Sequence, residues 1–405
     1  MSAHYIVQGE KIEANGEGLQ ASLRRAYPKK IRPLCPCKQP PVEMYIAKVN
    51  DQFIVKRMPN TGSDHDLECG SYEVPPGLSG LGQVLGSAIK ENSGDGLTAL
   101  KFGFSLSKGP TKTIPTGNGE EMNSVKTDGN KLSLRGTLHY LWEQAGFNKW
   151  SPGMAGKRNW FVIRKYLYEA AKDKTAKNIS LDKLVYIPEA FKLDQKDELT
   201  QRRLASIHSL RNGDNKHKQL MLMVGEGKEI TAARFGYKMV VKHLPDFPIM
   251  LNDDIYHRLL KRFNVEIEIW SANVNGHLMV IGTFGINDSG IPSFEEIALM
   301  TVTEHWIPYD NADELRLINT LTQANQCFIK CLRYNLPSTV PTASLLLADK
   351  DKMTTALFIC QSTASETYRN DLNALIESSE IKTCVWDVGY EVLPKFPFQV
   401  SEDLK

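Results

Sequence analysis

Cys35 and Cys37 stand one residue apart in LCPCKQPP, too close to bridge each other comfortably, so their chemistry must be completed elsewhere. His65 and Cys69 are the nearest suitable partners, and their separation of four is that of one helical turn. Three thiolates and one imidazole form the donor set of a closed tetrahedral zinc site, and soft sulfur favours zinc over magnesium or calcium. A full ligand set leaves no coordination position for substrate, which makes such an ion structural. The plain alternative is a set of unrelated small thiols and a surface histidine.

A hairpin must position these groups. VEMYIAKV and FIVKRM alternate apolar and polar residues and are joined by Asn50, Asp51 and Gln52, the pattern of two antiparallel strands. An antiparallel return brings the chain before residue 42 close to the chain after residue 58. The long gap between the cysteine pair and the His65/Cys69 pair is thereby expected to close in space.

The remaining chain of 405 residues is long enough for several cores. Apolar residues make up 41% and charged residues 24%, values typical of globular proteins. A formal net charge of +2 does not mark the whole molecule as a polyanion binder, so any basic surface must be local. No apolar run reaches about 18 residues and the start lacks a secretory pattern, so a cytoplasmic protein with no membrane partner is expected. Seven dispersed cysteines fit reduced thiols in such a compartment.

Residues 1–33 read as a poorly ordered lead-in, residues 34–108 as the zinc-binding hairpin module, and residues 109–130, rich in Gly, Pro, Thr and Asn, as a linker. Across 131–200, LSLRGTLHYLWEQAG and NWFVIRKYLYEAAKD have helical apolar spacing across a short turn and precede KLVYIPEAF, an order that suggests a winged helix. Lys149, Lys157, Arg158, Asn159, Arg164 and Lys165 gather around its second helix, where they would meet phosphates and base edges of DNA. A solvated helix face is the alternative. Residues 215–290 read as a β-rich insert, with EIEIWSANVNGHLMVIGTFGI as a hairpin about Asn275-Gly276. Residues 296–400 have the order helix, hairpin, helix, strand of an α/β unit, opening on one long helix over ADELRLINTLTQANQCFIKCL. His139, His243, His257, His277 and His305 show no ligand spacing, and Glu226 with Lys228 reads as an exposed strand end.

MYIAKVNDQFIVKRMPNTGSDH, LSGLG, LRGTLHYLWEQAGFNKWSPGMAGKRNW, WIPYDNADELRLINTL and FIKCLRY together resemble the bacterial family of domain of unknown function 1173. The resemblance implies a setting on plasmids and integrative elements, with protein partners from the same element, and a tail similar to restriction-endonuclease-like folds. Such a nuclease needs carboxylates on adjacent strands to hold Mg²⁺. Here Pro341 is followed by Thr342 and Ala343, and Phe358, Ile359 and Cys360 take the place of the second acidic motif. Asp349 and Asp351 belong to a turn. The expectation is therefore an α+β multidomain protein with structural Zn²⁺ and no catalytic residues, associated with DNA in the maintenance or transfer of a mobile element. A metal-dependent nuclease and a protein-interaction scaffold are the alternatives.

Overall fold

The computed structural model describes residues 4–49, 51–92, 94, 96–109, 129–211, 218–348, 354–391 and 393. Most of the expected linker, and Asp349 and Asp351, lie outside the described residues. The fold is mixed α+β, with several sheets sharing their strands across distant parts of the chain.

The expected loose lead-in is replaced by regular structure. His4–Val7 and Glu10–Glu13 pair antiparallel and join Leu34–Cys35, Val42–Val49 and Gln52–Arg57 in one five-stranded sheet. The helix Gly18–Ala26 buries Leu23 and Ala26 against Val7, Ile46 and Phe53, the inward residues of that sheet. These two amino-terminal strands have four residues each, too few for alternation to stand out in sequence. The hairpin over 42–57 forms as its pattern dictates, with Met44 opposite Arg57 and Lys48 opposite Phe53.

The two helices expected in the middle of the chain are Leu134–Gln144 and Trp160–Lys172, capped by the Ser133 and Asn159 side chains. Their surroundings differ from a free-standing winged helix. Leu138, Leu141, Trp142, Trp160, Ile163 and Leu167 belong to the largest core, which they share with the strands of residues 221–302. The segment between them, Lys149–Trp150, adds a strand to the carboxy-terminal sheet by pairing with Phe328–Lys330. Lys174–Ala176 and Ile179–Ser180 extend a sheet containing Thr98–Leu100 and Ile89–Glu91. A single short stretch thus serves three neighbours.

Residues 221–302 contain a closed barrel. Met221–Ala232, Tyr237–Val241, Ile249–Leu251, Pro292–Val302 and His277–Ile286 are hydrogen-bonded in that order, and the last pairs back onto the first. Numbered along the chain, the strands follow one-two-three-five-four, with three and five parallel and the other pairings antiparallel. Between strands three and four runs the helix Asp253–Ala272, capped by Asn252 and kinked at Phe263.

That helix corrects the expected strand at EIEIW. Ile255, Leu259 and Phe263 are buried at helical spacing, and the alternating run after them continues as helix rather than as a sheet strand. Asn275-Gly276 consequently joins a helix to a strand.

The carboxy-terminal unit contains the helix Ala312–Gln323, the antiparallel strands Phe328–Lys330, Leu345–Ala348 and Thr354–Cys360, the helix Glu366–Glu377 and the strand Lys382–Asp387, parallel to its neighbour. The opening helix is shorter than expected. Asn325 adopts a left-handed backbone (φ 53°), the chain turns, and Phe328–Lys330 becomes a strand. Cys327 and Cys331 therefore flank a strand and do not share a helix face. Gly80 joins this unit to the hairpin region: its N–H donates to the Leu332 carbonyl at 2.9 Å, and a Cβ there would sit 1.9 Å from the Arg333 carbonyl oxygen.

Candidate metal centre

Cys35 ends a short strand held between His4–Val7 and Val42–Val49, which fixes its direction. Cys37 follows in the turn. After the hairpin returns, a 3-10 turn at Gly62–Asp64 delivers His65 in an extended conformation. Cys69 then comes round through a tight turn, in which its N–H donates to the Asp66 carbonyl (2.8 Å) while Asp66 Oδ1 accepts from Glu68 N–H (2.9 Å). The four-residue spacing of His65 and Cys69 is thus closed by an aspartate-initiated turn, not by the helical turn their separation suggests.

All four donor atoms lie within 4.8 Å of one another. Cys35 Sγ and Cys69 Sγ are 3.7 Å apart, Cys37 Sγ and His65 Nδ1 3.3 Å, and Cys69 Sγ and His65 Nδ1 3.7 Å. Zinc bonds of ordinary length predict tetrahedral edges of ~3.8 Å between sulfurs and ~3.6 Å from sulfur to nitrogen. The donor set and its spacing fit a tetrahedral ion.

Hydrogen bonding from the Cys35 thiol lowers Cys69 against the burial that raises it, with His65 adding to the lowering, while that same bond and burial push Cys35 up. The Ser71 N–H also donates to Cys69 Sγ (3.4 Å). His65 is fully buried, and its Nε2 has no hydrogen-bond partner, so the ring is held by packing and by its Nδ1 contacts.

Lys149 meets this site from the far side. Expected to face DNA, its ammonium instead donates to the carbonyls of Cys69 (3.3 Å) and Tyr72 (2.9 Å), clamping the loop that carries the last sulfur. Burial lowers its pKa, and the nearby Glu143 and Cys69 charges oppose that shift. Arg158 is also turned inward, donating to the carbonyls of Gly146 (3.2 Å), Phe147 (3.2 Å), Lys149 and His305 (3.1 Å). Arg164 donates to the Ile187 carbonyl (3.0 Å), and Asn159 spends its side chain on the helix cap. Lys157 and Lys165 remain exposed. The six residues do not form one basic face, because three of the five cations donate to main-chain carbonyls.

Two polar constellations were not legible in the chain. Beside the metal loop is a cavity of about 220 Å³ lined by Lys56, Arg57, Glu73, Glu91, Asp173 and Lys174, among others. Arg57 bridges Glu73 (2.6 Å) and Glu91 (2.9 Å), so one hairpin residue ties the metal loop to a second sheet. On the barrel, buried Glu226 accepts from Lys242 Nζ (2.7 Å) and His277 Nδ1 (2.8 Å), with His243 Nε2 at 3.7 Å. Trp160 stacks on His243 and Trp306 on His277, with centroids 5.0 and 4.1 Å apart. The partners of Glu226 lie 16 to 51 positions from it, so neither spacing nor periodicity announces them.

In the carboxy-terminal unit, Thr342, Ala343 and Phe358 are buried and offer no carboxylate. No helix among the described residues is long and apolar enough to cross a membrane.

The family described as Protein of unknown function (DUF1173) matches residues 5–389. The chain belongs to that family. No curated protein and no solved structure matches it. Membership of DUF1173 spans the metal-ligand cluster, the barrel and the carboxy-terminal unit alike, so these are parts of one family architecture.

Proposed function

We propose that this DUF1173 member is a non-catalytic, nucleic-acid-associated protein whose amino-terminal region is held by one structural zinc ion. The observation that carries the metal assignment is the Cys35, Cys37, His65 and Cys69 set, with mutual spacings of a tetrahedron. A zinc ion with three thiolates and a neutral imidazole bears a net charge of −1. The Lys149 ammonium against the same loop is of the sign that favours it. With four protein donors the ion has no free position, which supports a structural over a hydrolytic role.

A mobile-element setting, in which the protein would act on DNA during maintenance or transfer alongside other proteins of the element, is the reading that gives such a chain work to do. Cytoplasmic residence with reduced thiols accords with it. Metal-dependent cleavage is a second reading, favoured by the helix, three-stranded meander, helix and parallel strand of the carboxy-terminal unit. Against it stand Thr342, Ala343 and Phe358 where acids are needed.

Elemental analysis of protein purified without added metal is expected to give about one zinc per chain, falling below about one tenth in Cys35→Ser and Cys69→Ser. Absence of zinc from the unmodified protein would refute the metal assignment. Salt-dependent retention of DNA at low ionic strength, without cutting in Mg²⁺ or Mn²⁺, is expected for the full protein. Cutting that is lost when divalent metal is removed and restored by Mg²⁺ would favour the nuclease.

A further inference from the structure

The barrel of residues 221–302 presents two different outer surfaces. The first half of its first strand and its fourth strand are buried on both sides: Met221 to Val224 and Leu278 to Ile281 all lie in the main core, which also contains the helices around Trp142 and Trp160. The second and third strands are less covered on their outer side: Met239, Val241, Ile249 and Leu251 point into the barrel and are buried, whereas of the alternate residues Val240 is buried and Lys238 and Met250 are half-buried.

Those outward residues form a row across four strands. Thr231 is opposite Lys238, Lys238 opposite Met250, and Met250 opposite Ser293. At the tip of the hairpin between the first two strands, Phe235 is 77% exposed, with the Arg234 guanidinium 5.4 Å from its ring centre. The turn that lifts it is closed by Ala233 N–H to the Gly236 carbonyl at 3.0 Å, with Gly236 at φ 70°.

Free cations lie on this side, together with the acids Glu229, opposite Val240, and Asp253, whose Oδ1 lies beside Gly236. Lys242 is bound to Glu226 and Asp246 to Arg203, while Lys228, Arg234 and Lys238 have no carboxylate within ion-pair distance among the described residues. Glu229 is the one opposing charge in the 228–238 stretch.

A five-stranded barrel in the order one-two-three-five-four, with a helix between strands three and four, has the connectivity of the oligonucleotide- and oligosaccharide-binding barrel, in which the second and third strands carry the ligand. Connectivity alone does not assign a ligand. Here the less covered face is the corresponding one, and it combines unpaired cations with an exposed aromatic ring, the pairing that single strands require: cations for phosphates, a flat ring for an unstacked base. Carbohydrate would not call for the cations.

We infer that the face formed by Thr231, Lys238 and Met250, with Arg234 and Phe235 at its rim, binds single-stranded nucleic acid. This deepens the nucleic-acid reading above and rests on it. Phe235 stacks on a base, and Arg234, Lys238 and Lys228 follow the backbone. Lys149, Arg158 and Arg164, which the sequence nominates, take no part.

The test is fluorescence anisotropy of the full chain with labelled oligothymidylate, oligouridylate and a duplex of equal length, over a salt series. Tighter binding of a single strand than of the duplex is expected, and the two single strands together decide whether DNA or RNA is preferred. Phe235→Ala should weaken single-strand binding by about 5- to 100-fold while Phe235→Trp preserves it. Arg234→Ala with Lys238→Ala should reduce the slope of log affinity against log salt by about 1.4. Since Phe235 and Arg234 are exposed, circular dichroism and thermal midpoints should not move. Salt-dependent binding to nucleic acid that these variants leave unchanged would overturn the assignment of the face and leave nucleic-acid association standing. No binding of any of the three probes at low salt would overturn both, and a face that captures only protein would show as that result.

Discussion

Glu143 shows what residue type alone conceals. It sits on an amphipathic helix at a position that pattern would leave neutral, yet it is enclosed, accepts from the Tyr334 hydroxyl at 2.5 Å and is pushed up to about 7 by burial first and by the Glu73 carboxylate second. A carboxyl whose folded value exceeds its ordinary 4.5 binds its proton more tightly in the folded state. Its contribution is whole below pH 4.5 and is lost as pH rises towards 7. Denaturant midpoints should therefore show a stability loss of about 3 kcal/mol from this group across that window, and Glu143→Gln should flatten it. An unchanged pH profile in Glu143→Gln would show that the group titrates normally. The cysteines and His65 were legible because their types are rare and their chemistry narrow. Glu143, Glu226 and Arg57 were not, because acids and arginines are common and only three-dimensional neighbours distinguish them.

Among the elements, hairpins and capped helices followed from local pattern, while short strands and a β-branched helix did not. The 42–57 hairpin closes where alternation says it should, and Ser133 and Asn159 cap the two middle helices. EIEIW is helical because its neighbours close a barrel, a demand that comes from strands far away in sequence. The turn joining the middle helices has its own fastening in Arg158, whose guanidinium gathers the carbonyls of Gly146, Phe147 and Lys149 at the start of the turn and that of His305. Arg158→Ala leaves these oxygens without their donor and should cost about 3 kcal/mol or more in chemical denaturation, whereas exposed Lys157→Ala should change stability by no more than about 0.5 kcal/mol. Equal effects of the two would mean that Arg158 is a surface residue after all. Sequence placed both on one DNA-facing patch because charge is visible in a chain and direction is not.

Across the whole molecule, boundaries drawn along the sequence are crossed by the sheets. The region around Cys69 packs Leu67, Tyr72, Val74 and Leu78 against Ile329, Leu346 and Phe358 of the carboxy-terminal sheet. That sheet takes its last strand from Lys149–Trp150. Composition can divide a chain where turns cluster, but it cannot reveal a strand of two residues donated across nearly 180 positions.

That donated strand has a practical consequence for anyone cutting the chain into pieces. A fragment beginning at residue 296 would retain its helices and central strands but leave Phe328–Lys330 with a bare row of amides and carbonyls along a hydrophobic margin. Two such fragments would find in each other what Lys149–Trp150 supplies in the intact chain. Light scattering should record self-association in the isolated tail, relieved when a segment carrying residues 131–172 is supplied with it; a monodisperse, fully folded tail would show that the borrowed strand is dispensable.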